Sequence, residues 1–240
     1  MAPHHHLTWL ADNVAWFEAI PDDRLTVPVP ACPGWAVVDV VNHLSFGLGL
    51  GYPVAMAKPP DTAADRAFAG LVVPSKPPSG RAAATTFRAN LHHCLTRFRA
   101  TDPTTPCWTY AGPGTAAFWF RRAAIETTLH RFDVEEALEG RAGPLAADRT
   151  ADAIIETVEF ALPLAADIVG SPELAVTVTS PDVGLELSLG PGTPRARITA
   201  EGQRTLAALW GRHPDRVTVT GDPAAAEAWL SLVEAAFAGR

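Results

Sequence analysis

The sequence predicts an α+β chain: a helix bundle over about residues 1–170, then a small α/β domain over 171–240. Three observations point there. Apolar residues recur every three or four positions through the first two-thirds, the period of helices that bury one face. After Gly170 the period falls to two, the mark of half-buried strands, with Pro and Gly between the runs. At 240 residues the chain has room for one large domain or two modest ones, with ample apolar surface for a core.

Trp9, Leu10, Val14, Phe17 and Ile20 define a first helix that stops near Pro21. His4, His5 and His6 precede it at a terminus expected to fray, as a native loop or the remnant of a tag. Pro28, Pro30 and Pro33 lead to Gly34-Trp35 and a second helix from about Ala36 into the Leu48–Gly51 region. Ala36 stands where a capping Ser or Thr is wanted, although Asp39 in the first turn favours the helix dipole. Lys58–Gly80 holds prolines 59, 60, 74, 77 and 78 and reads as a loop with a short helix around Ala64–Gly70. A third helix, Arg81–Arg99, presents Phe87, Leu91, Leu95 and Phe98 and is ended by Pro103 and Pro106. The fourth, Thr115–Leu138, is the most periodic and closes at Gly140; the fifth, Arg149–Val169, is expected to kink at Pro163. Strands beginning at Leu174, Leu185 and Arg195, a helix at Gln203–Gly211, a strand at Arg216–Thr220 and a helix at Pro223–Ala238 complete the second domain.

A formal net charge of −7 argues against nucleic acid as a main partner, since phosphate binding needs clustered Lys and Arg. No apolar run approaches the ~20 residues that span a bilayer, and the N-terminus lacks a basic-then-apolar signal pattern. Cys32, Cys94 and Cys107 are odd in number and widely spaced, which favours free thiols in a reducing cytosol over a disulfide framework. The expectation is a cytoplasmic protein, monomer or homodimer, whose partner is a small molecule. Glycine-rich phosphate loops, cysteine pairs at zinc spacing and a nucleophile elbow are all absent from the sequence.

On a wheel of the fourth helix, Trp119, Glu126, His130, Asp133 and Ala137 fall in one narrow stripe. Phe118, Ile125, Leu129 and Phe132 flank it on one side; Phe120, Ala123, Val134 and Leu138 flank it on the other. Arg121, Thr128, Arg131 and Glu135 form the expected solvent face. A carboxylate and an imidazole central to an apolar arc must be paired, hydrogen-bonded or bound to a metal. Spaced i and i+4, Glu126 and His130 point the same way and can share one divalent ion. A catalytic zinc typically takes three protein ligands and keeps one position open, and His43, on the face of Val40, Phe46, Gly47 and Leu50, is the natural third. His92 and His93 are adjacent and cannot both face the core; His213 falls in a turn. A mutual Glu126–His130 hydrogen bond is the plainer alternative.

The segment Cys32-Pro-Gly-Trp-Ala-Val-Val-Asp-Val-Val-Asn-His43 resembles the signature CPGW(T/S)xxDLxxHL of the mycothiol-dependent maleylpyruvate isomerase family. Ala117–Asp133, with Glu126, His130 and Asp133, resembles that family's metal-binding helix, with Ile125 replacing the usual residue before the Glu. Leu209-Trp-Gly-Arg212 followed by Val217–Asp222 resembles its second domain. The resemblance implies a DinB-like four-helix bundle, a sterol-carrier-like α/β domain, and a divalent metal, usually zinc, on His43, Glu126 and His130. It also implies mycothiol or another low-molecular-weight thiol as cosubstrate, and a basic residue for an acidic substrate, for which Arg212 is the candidate. Asp133 is expected to orient His130 or Arg131, or to pair structurally with Arg131 or another helix. Trp35 and Trp119 are expected to be core aromatics and Cys32 structural. A thiol-dependent isomerase or S-transferase is the leading expectation. A thiol-independent cyclase or isomerase of specialised metabolism and a non-catalytic small-molecule-binding protein are the alternatives.

Overall fold

The computed structural model describes residues 1–72 and 77–237. The chain forms two compact units, Met1–Gly143 and Pro144–Arg240. The boundary expected at 170/171 therefore moves to 143/144, because the helices of 147–169 pack on elements of the second unit.

The first unit is a four-helix bundle. Its helices are α1 (Pro3–Glu18), a run of α2 (Val37–His43), a π-helical stretch (Leu44–Gly51) and α3 (Tyr52–Met56), then α4 (Gly80–Arg99) and α5 (Ala116–Glu139). α1 begins earlier than expected, at Pro3, where a proline's missing N–H costs nothing, and His4–His6 lie inside it rather than in a frayed end. α1 packs on α5 and α4, and the α2–α3 run packs on α4, burying Trp9, Leu10, Phe87, Leu91, Phe98, Trp119 and Phe120.

α5 is covered on more sides than its wheel implied. Thr128 and Glu135, assigned to the solvent face, are 1% and 3% exposed, and Arg121 and Arg131 are half-buried. Asn13 of α1 is responsible for part of this: its Nδ2 donates to Thr128 Oγ1 at 2.7 Å and to the Ala124 carbonyl at 3.2 Å. Glu135 accepts from Arg131 Nε and from the Gly143 backbone N–H, both at 2.6 Å. Paired in this way, polar side chains tolerate burial. At the far end Gly140 takes φ 77°, the left-handed conformation that ends a helix.

A hairpin of β1 (Pro106–Thr109) and β2 (Gly112–Thr115) precedes α5 and was not expected from the sequence. Pro106, Pro113 and two glycines, Gly112 and Gly114, hide its alternation, but Gly112 at φ 93° closes the turn and Trp108 is buried. The helix expected over Ala64–Gly70 shrinks to a 3₁₀ turn at Ala64–Arg66.

The second unit contains α6 (Ala147–Glu156), a π-helical turn (Thr157–Ala161) and α7 (Leu162–Val169). Where a kink at Pro163 was expected, the helix is interrupted by this π-helical turn just ahead of the proline, which has no N–H for the helical ladder. β3 (Val176–Ser180), β4 (Leu185–Leu189), β5 (Ala196–Thr199) and β6 (Thr218–Gly221) form a sheet of order β4-β3-β5-β6. β3 and β5 are parallel and the other pairs antiparallel. α8 (Gly202–Leu209), α9 (Pro223–Leu230) and α10 (Leu232–Phe237) accompany the sheet. The last helix was expected unbroken to Ala238; it breaks at Ser231, and Ala238, like Pro74, lies outside the described residues. The α+β class read from the sequence is the one observed. Among the described residues no helix is long and apolar enough to cross a membrane.

Two glycines of the π-helical stretch give a paired stability test. A Cβ on Gly49 would lie 2.9 Å from Asn90 Cβ and 3.1 Å from the Asn90 backbone, whereas one on Gly47 would meet nothing within 4 Å. Gly49→Ala is expected to destabilise by about 1–3 kcal/mol through overpacking. Gly47→Ala is expected to be neutral or stabilising by up to ~1 kcal/mol. Urea unfolding of both variants checks the ordering; equal effects would contradict it.

Candidate metal centre

Two local structures bring the site together. On α5, Glu126 and His130 are one turn apart and face the end of α2, where His43 is the last residue before the π-helical stretch. Ahead of α2, Cys32-Pro33-Gly34-Trp35 forms a tight turn in which Trp35 N donates to the Cys32 carbonyl at 2.9 Å. Proline second and glycine third, with Gly34 at φ 83°, is the residue choice of a type II turn. The turn is anchored by Val29 N to the Trp35 carbonyl at 2.8 Å and Val37 N to the Val27 carbonyl at 2.9 Å. Ala36 has no side chain to cap α2, but Asp39 Oδ2 reaches back to accept the Ala36 N–H at 2.8 Å.

His43 Nε2 lies 3.2 Å from Glu126 Oε1, and His130 Nε2 lies 3.5 Å from the same oxygen. Arg122, only 2% exposed, pairs with the other oxygen, its Nη2 lying 2.8 Å from Oε2. Beyond His130, its Nδ1 is 3.1 Å from Asp133 Oδ2, to which Cys32 also donates across 3.5 Å. Trp35 lies over both imidazoles, with ring centroids 5.4 Å from His43 and 6.3 Å from His130, the latter nearly parallel at 20°. His43 keeps 36% side-chain exposure against 11% for His130, so the cluster opens on the His43 side.

Burial pushes the Glu126 carboxyl up, but hydrogen bonds from His130 and His43 and the Arg122 charge outweigh it and hold it well below the usual carboxylate range. For His130 burial pushes down, and its hydrogen bonds to Asp133, Cys32 and Glu126 outweigh that, holding it well above the usual imidazole range. Tyr110, at the tip of the β1–β2 hairpin, is pushed up to about 12 by burial and by the Glu126 charge, partly offset by Arg122. Its ring packs 5.2 Å from Trp119.

One donor atom each from His43, Glu126 and His130 lie within 4.8 Å of one another. Two imidazole nitrogens and a carboxylate oxygen suit zinc, around which ligands with bonds of ~2.0 Å sit about 3.3 Å apart in a tetrahedron. The donor set therefore fits a small divalent ion. Asp133 contacts His130, while Arg131 pairs with Glu135 instead. His92 pairs with Glu18 at 2.7 Å, and His213, with φ 50°, is in the turn expected for it. Arg212 belongs to the second unit, follows Gly211 at φ 75°, and donates through Nη1 to the Trp210 carbonyl at 3.0 Å. Trp119 is a core residue as expected, fully buried with its Nε1 donating to the Trp108 carbonyl. Trp35 is not: it is half-buried above the imidazoles. Arg122 escaped sequence reading although its i−4 spacing from Glu126 on one helix face was a usable signal.

The family model described as the mycothiol maleylpyruvate isomerase N-terminal domain matches residues 8–135. Two solved structures are similar over 92% of this chain and 95% of theirs, each with a TM-score of 0.66. They are a mycothiol-dependent maleylpyruvate isomerase, 13% identical, and a histidine-to-alanine mutant of a protein so described, 12% identical. At that identity the likeness establishes the fold. No curated protein matches this chain.

The charge pattern gives a pH signature for the metal-free protein. His130, held above its unfolded value of 6.5, contributes stability that is full below 6.5 and lost as pH rises through the folded value. Glu126, held below its unfolded 4.5, contributes stability that is full above 4.5 and lost as pH falls through the folded value. Calorimetry in a chelator is expected to show Tm highest between these two values and falling toward alkaline pH, while zinc affinity rises as His130 loses its proton. A metal-free Tm that climbs steadily above pH 6.5 would contradict this.

Proposed function

The chain belongs to the mycothiol maleylpyruvate isomerase N-terminal domain family, and from that premise we propose that it is a metal-dependent enzyme using a low-molecular-weight thiol, mycothiol or an equivalent, to isomerise or S-conjugate a small acidic electrophile. The observation that carries this reading is the convergence of His43 Nε2 and His130 Nε2 on Glu126 Oε1 beside a half-exposed opening. His43, Glu126 and His130 would hold the ion, with zinc favoured by the donor set. A divalent ion held there would lower the pKa of a thiol bound to it, so that a thiolate would exist at neutral pH.

The chain's own residues supply the setting. Arg122 fixes one Glu126 oxygen and leaves the other for the imidazoles. Asp133 holds His130 Nδ1–H, which leaves Nε2 as the donor. Trp35 covers the two rings and limits water on that side. With an unsaturated diacid, the cosubstrate thiolate forms a C–S bond at the double bond, whose electron pair moves into the conjugated carbonyl. The resulting single bond rotates, and elimination restores the double bond in the trans form and returns the thiolate. An electrophile bearing a leaving group would end the same addition as S-transfer. Arg212, whose planar guanidinium suits a carboxylate, is the candidate for binding the acid.

Purified protein reconstituted with zinc is expected to hold one equivalent and to turn over maleylpyruvate-like diacids only with added thiol. His43→Ala and His130→Ala should lose the bound metal and at least ~100-fold in turnover. Arg212→Ala should keep the metal and raise KM for the acid about 10-fold or more. Reconstituted wild type that binds no divalent ion, or turnover indifferent to thiol, would overturn the reading.

A further inference from the structure

We propose that Cys32 is a positioning residue for the metal centre: its thiol donates to Asp133, and that carboxylate holds the His130 ring with Nε2 turned toward Glu126 and His43. The inference rests on the ligand set of the preceding section and extends it to a residue the reaction itself does not use. Cys32 Sγ, His130 Nδ1 and Asp133 Oδ2 form a second cluster, all within 4.8 Å of one another, on the side of the His130 ring away from Glu126. One carboxylate oxygen faces both other groups, 3.5 Å from the sulfur and 3.1 Å from the imidazole nitrogen. Asp133 is 2% exposed. A carboxylate so buried depends on its donors for its orientation and charge, and a weak S–H donor shared on the same oxygen restricts where that oxygen can sit.

The turn explains why a cysteine occupies this position. The Cys32-Pro33-Gly34-Trp35 turn sends both of its outer side chains to one ring. Trp35 lies nearly parallel to the face of His130, and Cys32 reaches its Nδ1 edge through Asp133. The turn thus meets the ring on its face through Trp35 and on its edge through Cys32 and Asp133. The long C–S bond spans a gap that a Ser hydroxyl bridges less well but with a stronger donor. Cys94 and Cys107 have no comparable role; both are fully buried, and burial pushes both thiols up.

The test titrates Zn²⁺ and Co²⁺ into wild type, Cys32→Ala and Cys32→Ser, and records the Co²⁺ ligand-field absorption and the metal-free Tm of each. Cys32→Ala is expected to weaken metal binding by about 3- to 10-fold, below the ~10- to 100-fold typical of a direct partner of a ligand. Its Co²⁺ bands should shift. Cys32→Ser should restore the bands and bring affinity to within about 3-fold of wild type, since it keeps a donor. Wild-type affinity and bands in Cys32→Ala would overturn the proposal. So would equal losses in both variants that follow the fall in metal-free Tm, the result of a turn residue that only maintains the fold. A wild type that binds neither ion overturns the metal-centre reading itself, a different failure from the loss of a Cys32 effect.

Discussion

Glu126 holds the site together. Its Oε2 is tied to the nearly inaccessible Arg122, and its Oε1 is left facing the Nε2 atoms of two imidazoles from two helices. A carboxylate with 17% side-chain exposure would be costly alone. The guanidinium offsets that cost from one side, and the imidazoles, or an ion shared with them, offset it from the other. The metal-free state and a metal-loaded state are therefore two solutions to one electrostatic problem. In the first, the imidazoles of His43 and His130 face the carboxylate directly; in the second, a cation held between them would take over that role.

The bundle provides the rigidity this arrangement needs. α5 is wrapped by neighbours, with Asn13 of α1 satisfying Thr128 and the Ala124 carbonyl, so Glu126 and His130 project from a helix that cannot rotate without breaking buried hydrogen bonds. His43 sits at the junction of an α-helical and a π-helical segment, and the close packing of Gly49 on Asn90 sets how near that run comes to α4. The Cys-Pro-Gly-Trp turn covers the outer side. Its proline and glycine specify the backbone, and its cysteine and tryptophan meet the His130 ring.

Much of this was legible in the sequence, for physical reasons that differ by element. The helices announce themselves because each buries one face, and the i, i+4 spacing of Glu126 and His130 needs no tertiary information to put them side by side. The first three apolar runs after Gly170 alternate apolar and polar residues in the sequence. The β1–β2 hairpin does not, since glycine and proline interrupt its pattern, and Cys107, Trp108 and Thr109 are buried in a row without alternating. The supposed solvent face of α5 misled because Thr128 and Glu135 are buried with partners distant in sequence or in a following loop, which a wheel cannot display. Trp35 was read as core because hydrophobicity says nothing of what a ring covers. The domain boundary followed the change of period at Gly170, whereas packing groups 147–169 with the sheet-bearing unit.

The most direct measurement is zinc K-edge X-ray absorption on protein loaded with one equivalent of Zn²⁺ and no added thiol. The expected spectrum has only nitrogen and oxygen scatterers at about 2.0–2.1 Å, with the outer-shell pattern of two imidazoles. A sulfur scatterer near ~2.3 Å, which would place the ion on Cys32 instead, or a spectrum with fewer than two imidazoles, would contradict the assignment of His43, Glu126 and His130 as the ligands.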